Sequence, residues 1–271
     1  MPHPLDGCNA KLNRAHEHLA TLTAAHRDYL ATKPYVADQE YRPDADEIVY
    51  FGRVVNPPPL RLGVVIGDLI HNLRSALDHL VWQLVMWNGR TPTRDNQFPV
   101  CTDASKWGKT SARMLSRVRQ EHVDLIRSVQ PFGKIDPGAS PLARLHRLWN
   151  EDKHQVVSTL LGAVRDPTDV SFIRRPISLD KFTPVRDIAE MISAEGYYGI
   201  PLGSGQPLAR LKIKASGPRP NAAMLSQWIA GLAFASDGAP VERSIDEMAR
   251  TVEGIVNTFG PLLSAPPGST V

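Results

Sequence analysis

The stretch from about residue 61 to 88 constrains this chain most. It reads as one long helix, fenced by Asn56-Pro57-Pro58-Pro59 before it and by Asn88-Gly89 after it. Proline fixes φ and removes a backbone donor, so the first signal stops what precedes it, and the second is a C-cap. At 100° per residue, Leu69, Ile70, Leu73, Ala76, Leu77, Leu80 and Leu84 fall on one broad apolar face. Such a face must be covered, and the chain supplies further helices to cover it. Leu12, Ala15, Leu19, Leu22 and Leu30 recur at helical spacing over 8–31, ended by Lys33-Pro34. A helix over 111–129 carries Met114, Leu115, Val118, His122, Leu125 and Ile126 on one side, until Gln130-Pro131-Phe132 breaks it. Two more are predicted at 140–153 and 245–263, the last with Ser244 as its N-cap.

Between and after these helices the texture is that of strands. Residues 47–55 read as a strand or hairpin arm, and 90–105 as a loop holding Phe98-Pro99-Val100. Beyond His154, short β-branched or aromatic runs at 156–164, 170–174, 197–200, 208–214 and 228–234 predict an antiparallel sheet of about five or six strands. Gly199 to Gly205 reads as a hairpin turn. The expected fold class is α+β: an α-helical bundle, then the sheet, then a C-terminal helix. A single domain is expected over 1–264, with a helical half at 1–154, a β half at 155–236, a closing helix at 237–264, and a frayed tail at 265–271.

Composition narrows the function classes. Hydrophobic residues at 42% and charged residues at 22% exclude a disordered or collagen-like chain. No apolar run reaches the length of a membrane span, and the N-terminus lacks a signal-peptide pattern, so a cytoplasmic protein is expected. A net charge of +3 is too small to imply nucleic-acid binding. Cys8, near an N-terminus expected to fray, and Cys101, in a loop, make neither a disulfide framework nor a thiolate metal site. No HExxH or CxxC occurs, and His71 and His79 lie two helical turns apart, so no metal and no cofactor are expected. The five tryptophans are scattered and read mostly as core. His16, His18 and His26 read as surface residues.

The long helix has a second face that does not resemble scaffold. Asp68, His71, Asn72, Ser75, Asp78, His79 and Trp82 form a stripe opposite the apolar one, with Arg74 flanking it. A solvated helix face normally carries Lys, Glu, Gln and Arg, yet no Lys or Glu occurs between 61 and 88. Short hydrogen-bonding side chains at that cost in helix propensity point to a buried polar network or a site. A second constellation, His146-Arg147-Leu148-Trp149-Asn150-Glu151-Asp152-Lys153-His154, places His146, Asn150 and His154 on one helical line. Asp152, Lys153 and His154 are expected to close over the stripe.

The order HNLRSALDHL, FPV, QPF and NEDKH resembles a family of bacterial, largely actinobacterial proteins. That resemblance covers most of the chain and implies a fold layout without an activity. Arg74-Ser75-Ala76-Leu77-Asp78-His79 is more distantly similar to the signature of the HEPN superfamily, helical domains that include ribonucleases of toxin and phage-defence systems. By that likeness Arg74 would clamp phosphate, and His79 would act in acid–base work on the ribose 2′-hydroxyl.

Two functions follow from these readings. In the first, the residues form a structural polar network of a non-enzymatic binding or interaction protein, at a helix–helix interface or at that of a homodimer. In the second, the chain is a metal-independent ribonuclease. Arg74, His79, His71 and His154 would then be catalytic, and Asp68, Asn72, Asp78, Asn150, Asp152 and Lys153 would bind or orient RNA. RNA is a partner only in that case.

Overall fold

The computed structural model describes residues 3–164, 176–178, 183–184, 188–197, 201–215, 222–223 and 229–264. Its elements are α1 (Asp6–Ala31), β1 (Tyr35–Arg42), β2 (Glu47–Val54), α2 (Leu60–Trp87), α3 (Trp107–Met114), α4 (Gln120–Ser128) and α5 (Pro141–Asp152). There follow β3 (Thr159–Val164), β4 (Pro176–Ser178), β5 (Thr183–Pro184), β6 (Ile188–Tyr197), β7 (Pro207–Ala215), β8 (Ala222–Ala223), β9 (Ile229–Phe234) and α6 (Val241–Ser264). The fold is α+β. Two compact units emerge: residues 1–23, 63–157 and 244–271 form one, and residues 24–62 and 158–243 the other.

The first unit is helical. Ile66, Leu69, Ile70, Leu73, Leu77, Leu80 and Leu84 of α2 are fully or almost fully buried, as the predicted apolar face requires. Leu12, Ala15 and Leu22 of α1 and Met248, Val252, Val256 and Phe259 of α6 belong to the same buried set. Cross-links between elements fix the arrangement. His122 of α4 meets Phe259 edge-on at 5.9 Å, His16 pairs with Glu253, and Arg144 of α5 donates to the Ser244 hydroxyl at 3.2 Å. Helix α2 closes as its Asn88-Gly89 signal predicts. Gly89 adopts a φ of 67°, and its N–H bonds the Met86 carbonyl while that of Arg90 bonds the Val85 carbonyl. These are the paired bonds of a Schellman cap.

The second unit holds a five-stranded antiparallel sheet in the order β1-β2-β7-β6-β4, with β3 pairing β9 and β5 pairing β8 in separate ribbons. The sheet expected from 155–236 alone is therefore redistributed. The N-terminal hairpin enters it as two strands, with Ile48 opposite Leu211 and Val49 opposite Arg210. Glu47, buried, receives Arg210 at 3.1 Å, an ion pair across adjacent strands that helps fix this register. Strand β6 was not among the predicted runs, because Ala-Glu-Met-Ile-Ser-Ala-Glu-Gly lacks β-branched alternation. The predicted strand at 170–174 lies outside the described residues, as do Gly199, Ile200 and Trp228.

Several sequence expectations need correction. The single helix over 111–129 is two helices, broken at 115–119 with Arg117 at a φ of 72°. Tertiary hydrogen bonds take over from the helical ladder there. Buried Asn96 donates to the carbonyls of Met114 and Ser116, and Asn88 donates to that of Arg117. Ser244 is not an N-cap; α6 begins at Val241, so Ser244 lies buried in its first turn. Cys8 is fully buried within α1, where desolvation pushes its thiol up to about 12. His26 is buried and pairs with Glu242 at 2.9 Å. Among the described tryptophans only Trp107 is buried, and Trp82 stands 42% exposed.

Asn96 also accepts the Thr93 N–H at 2.8 Å, so its side chain holds one loop to the α3 end of the α3–α4 break. Asn96→Ala is expected to cost about 1–3 kcal/mol by leaving buried groups unpaired. The check is a lower urea midpoint at unchanged m-value.

Candidate functional site

The site grows from one residue on α2. Arg74 is only 2% exposed. Its Nη2 donates to Asp78 Oδ1 at 2.8 Å and to the Phe98 carbonyl at 2.6 Å. Asp78, one turn on, accepts the Phe98 N–H at 2.8 Å with the same oxygen. The pair thus clamps both backbone polar groups of Phe98, whose ring is fully buried. The Arg74 guanidinium lies over Trp149 of α5, 5.0 Å from the ring centroid, and Lys153 Nζ stands 3.0 Å from the same centroid. Arg74 Nε and Nη1 have no hydrogen-bond partner. Contact with the Trp149 π-face adds to the Asp78 and Phe98 bonds in compensating this cation.

Helix α5 reaches α2 because glycine lets it. A Cβ at Gly67 would lie 2.1 Å from Asp152 Oδ1, and one at Gly63 would lie 2.3 Å from the Val157 carbonyl. The predicted convergence of the two polar segments is therefore present, brought about by two residues without side chains. Around Trp149, His146 Nε2 and Asn150 Nδ2 are 3.2 Å apart, and Lys153 donates to Asn150 Oδ1 at 3.3 Å.

Electrostatics follow from burial. Desolvation shifts both members of the Arg74–Asp78 pair towards their neutral forms, raising Asp78 and lowering Arg74, while each partner's charge opposes the shift. His146 is pushed down to about 4, first by burial and then by the Arg74 and Lys153 charges. Lys153 is lowered by desolvation and then by Arg74. Asp152 is raised by desolvation and by the neighbouring Asp68 carboxylate, against the pull of His71.

The predicted site residues separate into three groups. Arg74, Asp78 and Lys153 belong to the cluster on Trp149, with Asn150 attached through Lys153 and His146. Asp68 and His71, one to two turns earlier on α2, form a neighbouring group with Asp152 at the end of α5. The remaining three hydrogen-bond to no side chain of either group, although His79 stands near enough to Asp78 for its charge to be felt. His79 is exposed, beside Gly7 of α1, where a Cβ would meet its Nδ1 at 3.3 Å. Asn72 is buried and bonds the Asp68 carbonyl at 2.8 Å, satisfying its own helix instead of facing a ligand. His154 is exposed beyond the end of α5, which stops at Asp152, so the expected line of His146, Asn150 and His154 is cut short.

Trp149 and the Phe98 backbone are the parts that sequence reasoning missed. Phe98-Pro99-Val100 was singled out as a motif, but a bond between residues 20 positions apart has no periodicity to betray it. A cleft of about 520 Å³ opens beside the cluster, lined by Asp78, His79, Trp82, Gln83, Arg94 and Gln97 among others, and Arg74 is not in its wall. Among the described residues, no group of three or more His, Cys, Asp or Glu is placed to hold a metal ion, and no helix is long and apolar enough to cross a membrane. The chain matches no family model, no curated protein and no solved structure.

A depressed folded-state pKa means that neutral His146 contributes stability fully above its ordinary 6.5, and that this is lost as pH falls towards about 4. In His146→Gln the loss of stability between those pH values should be shallower than in the wild type. Urea midpoints at successive pH values check this, and the wild-type ring should titrate near 4 by NMR.

Proposed function

We propose that the chain is a cytoplasmic, non-enzymatic binding or interaction protein, in which the Arg74–Asp78 network serves the fold and shapes a surface. The burial of Arg74 carries this reading. A phosphate clamp has to meet its ligand, and a guanidinium 2% exposed, bonded to Asp78 and Phe98 and covered by Trp149, is committed to its own chain. The network joins α2, the segment around Phe98 and α5 into one surface, and leaves His71 and His79 exposed upon it.

One observation favours the ribonuclease alternative. His79 lines the 520 Å³ cleft together with Arg94 and the exposed Trp82, so an acid–base group stands beside a cation and a stacking surface. The HEPN-like role of Arg74 finds no support in its surroundings.

RNA cleavage by the wild type, Arg74→Ala and His79→Ala in the presence of EDTA separates the two. No cleavage by any of the three is expected. Arg74→Ala should lose roughly 3–5 kcal/mol, because it strands the half-buried Asp78 carboxylate and the buried Phe98 carbonyl. His79→Ala, at an exposed position, should melt within about 0.5 kcal/mol of the wild type. EDTA-resistant cleavage that vanishes in a well-folded His79→Ala protein would establish the ribonuclease.

A further inference from the structure

Helix α2 leaves one line of its surface uncovered. Between Gly63 and Met86 its exposed residues are Val64, Asp68, His71, His79, Trp82 and Met86, with half-buried Ser75 completing the line. The steps along it are 4, 3, 4, 4, 3 and 4 residues, the spacing of a helix-packing seam. At 1.5 Å per residue the line runs about 33 Å. Its order of steps reads the same from either end, with Ser75 at the centre.

That symmetry selects a partner. In an isologous pair, residue i of one copy meets residue j of the other, and j meets i. Turning a second α2 antiparallel about Ser75 sets Val64 against Met86, Asp68 against Trp82, and His71 against His79, each twice. The chemistry agrees at the two outer pairs and at the centre. Val64 and Met86, 46% and 51% exposed, cover one another's apolar surface. The Trp82 indole N–H, a donor without acceptor capacity, faces the Asp68 carboxylate. The smallest side chain of the line sits where two helix axes approach most closely.

Charge is also self-complementary. Asp152 packs against Gly67, the neighbour of Asp68, so two carboxylates stand together at one end. His79 and Arg94 line the cleft at the opposite end, where the carboxylate of Asp78 is already paired with Arg74. An antiparallel second copy brings each acidic end to a basic one, whereas a parallel copy would stack like on like.

We propose that this stripe is the seat of a second copy of the chain, docked antiparallel about a two-fold axis through Ser75. The inference deepens the binding-protein reading by naming its partner, and the two can fail separately. A dimer that cleaves RNA overturns the non-enzymatic function alone, and a monomer that does not cleave RNA overturns the dimer alone.

Light scattering on a sizing column tests it directly. The wild type at about 100 µM, well above the Kd of a specific homodimer, should run at twice the 29.9 kDa chain mass. Ser75→Arg, which sets two guanidinium groups against each other on the axis, should run as a monomer with an unchanged circular-dichroism spectrum. Should that variant fail to fold, oxidative cross-linking decides. The double variant Val64→Cys, Met86→Cys should form a covalent dimer on a non-reducing gel and either single variant should not, since Cys8 and Cys101 are buried. A wild-type monomer overturns the proposal, as does a dimer that neither Ser75→Arg disrupts nor the paired cysteines trap.

Discussion

A single buried cation organises the helical unit. Removing a guanidinium from water costs several kcal/mol even after relaxation, and the cost is tolerable only where counter-charge and acceptors are already in place. For Arg74 they come from three directions: Asp78 on its own helix, the Phe98 carbonyl from the following loop, and the Trp149 face from α5. Each of these groups is therefore held in position by the charge it compensates. The same Asp78 oxygen also takes the Phe98 N–H, so the loop is gripped on both of its polar backbone groups. Once Phe98 is fixed, Asn96 two residues earlier stands where it can bond the carbonyls that end α3. The path from one ion pair to the break between two distant helices is four covalent and hydrogen-bonded steps long.

The close approach of α5 to α2 is the second requirement. Hydrogen bonding and cation–π contact act over a few ångströms, so Trp149 and Lys153 matter to Arg74 only if the helices touch. Gly63 and Gly67 remove the atoms that would hold them apart. One outcome is electrostatic. Asp152 is carried against Asp68 and His71, and its carboxyl is harder to ionise than a solvated one. Beside α2 the charge thus changes from the Asp68 and Asp152 carboxylates to the Lys153 and Arg94 cations, brought near Asp78 by the end of α5 and by a loop.

Much of this was legible in the sequence. The extent of α2, its Schellman cap and its apolar face follow from proline, glycine and a 3.6-residue period, all of them local signals. The absence of Lys and Glu from its other face marked a network, and the pairing of the HNLRSALDH segment with NEDKH was expected because both sit next to apolar anchors. What could not be read depends on partners far along the chain. Periodicity sets Arg74 at the flank of the stripe, and only Phe98 and Trp149 turn it inward. The apolar positions of 111–129 fit one helix well, and the side chains of Asn88 and Asn96 overrule them. Asn72 resembled a ligand-facing amide, yet its own helix backbone offered a nearer acceptor. Similarly, a hairpin at 35–54 gives no sign of which sheet it will enter, because edge pairing is decided by tertiary register.

The two faces of α2 divide their labour by residue type. Those that hold the fold are buried and coupled, so a change at Arg74, Gly67 or Leu73 disturbs several neighbours at once. Those on the exposed line touch little within the chain, and substitution there is nearly free of folding consequence. Natural variation can therefore rewrite Val64, His71, Trp82 or Met86 while the scaffold stays intact. Were the exposed line the docking seam proposed above, lineages sharing this architecture would diverge first in whom they bind, and only much later in how they are built.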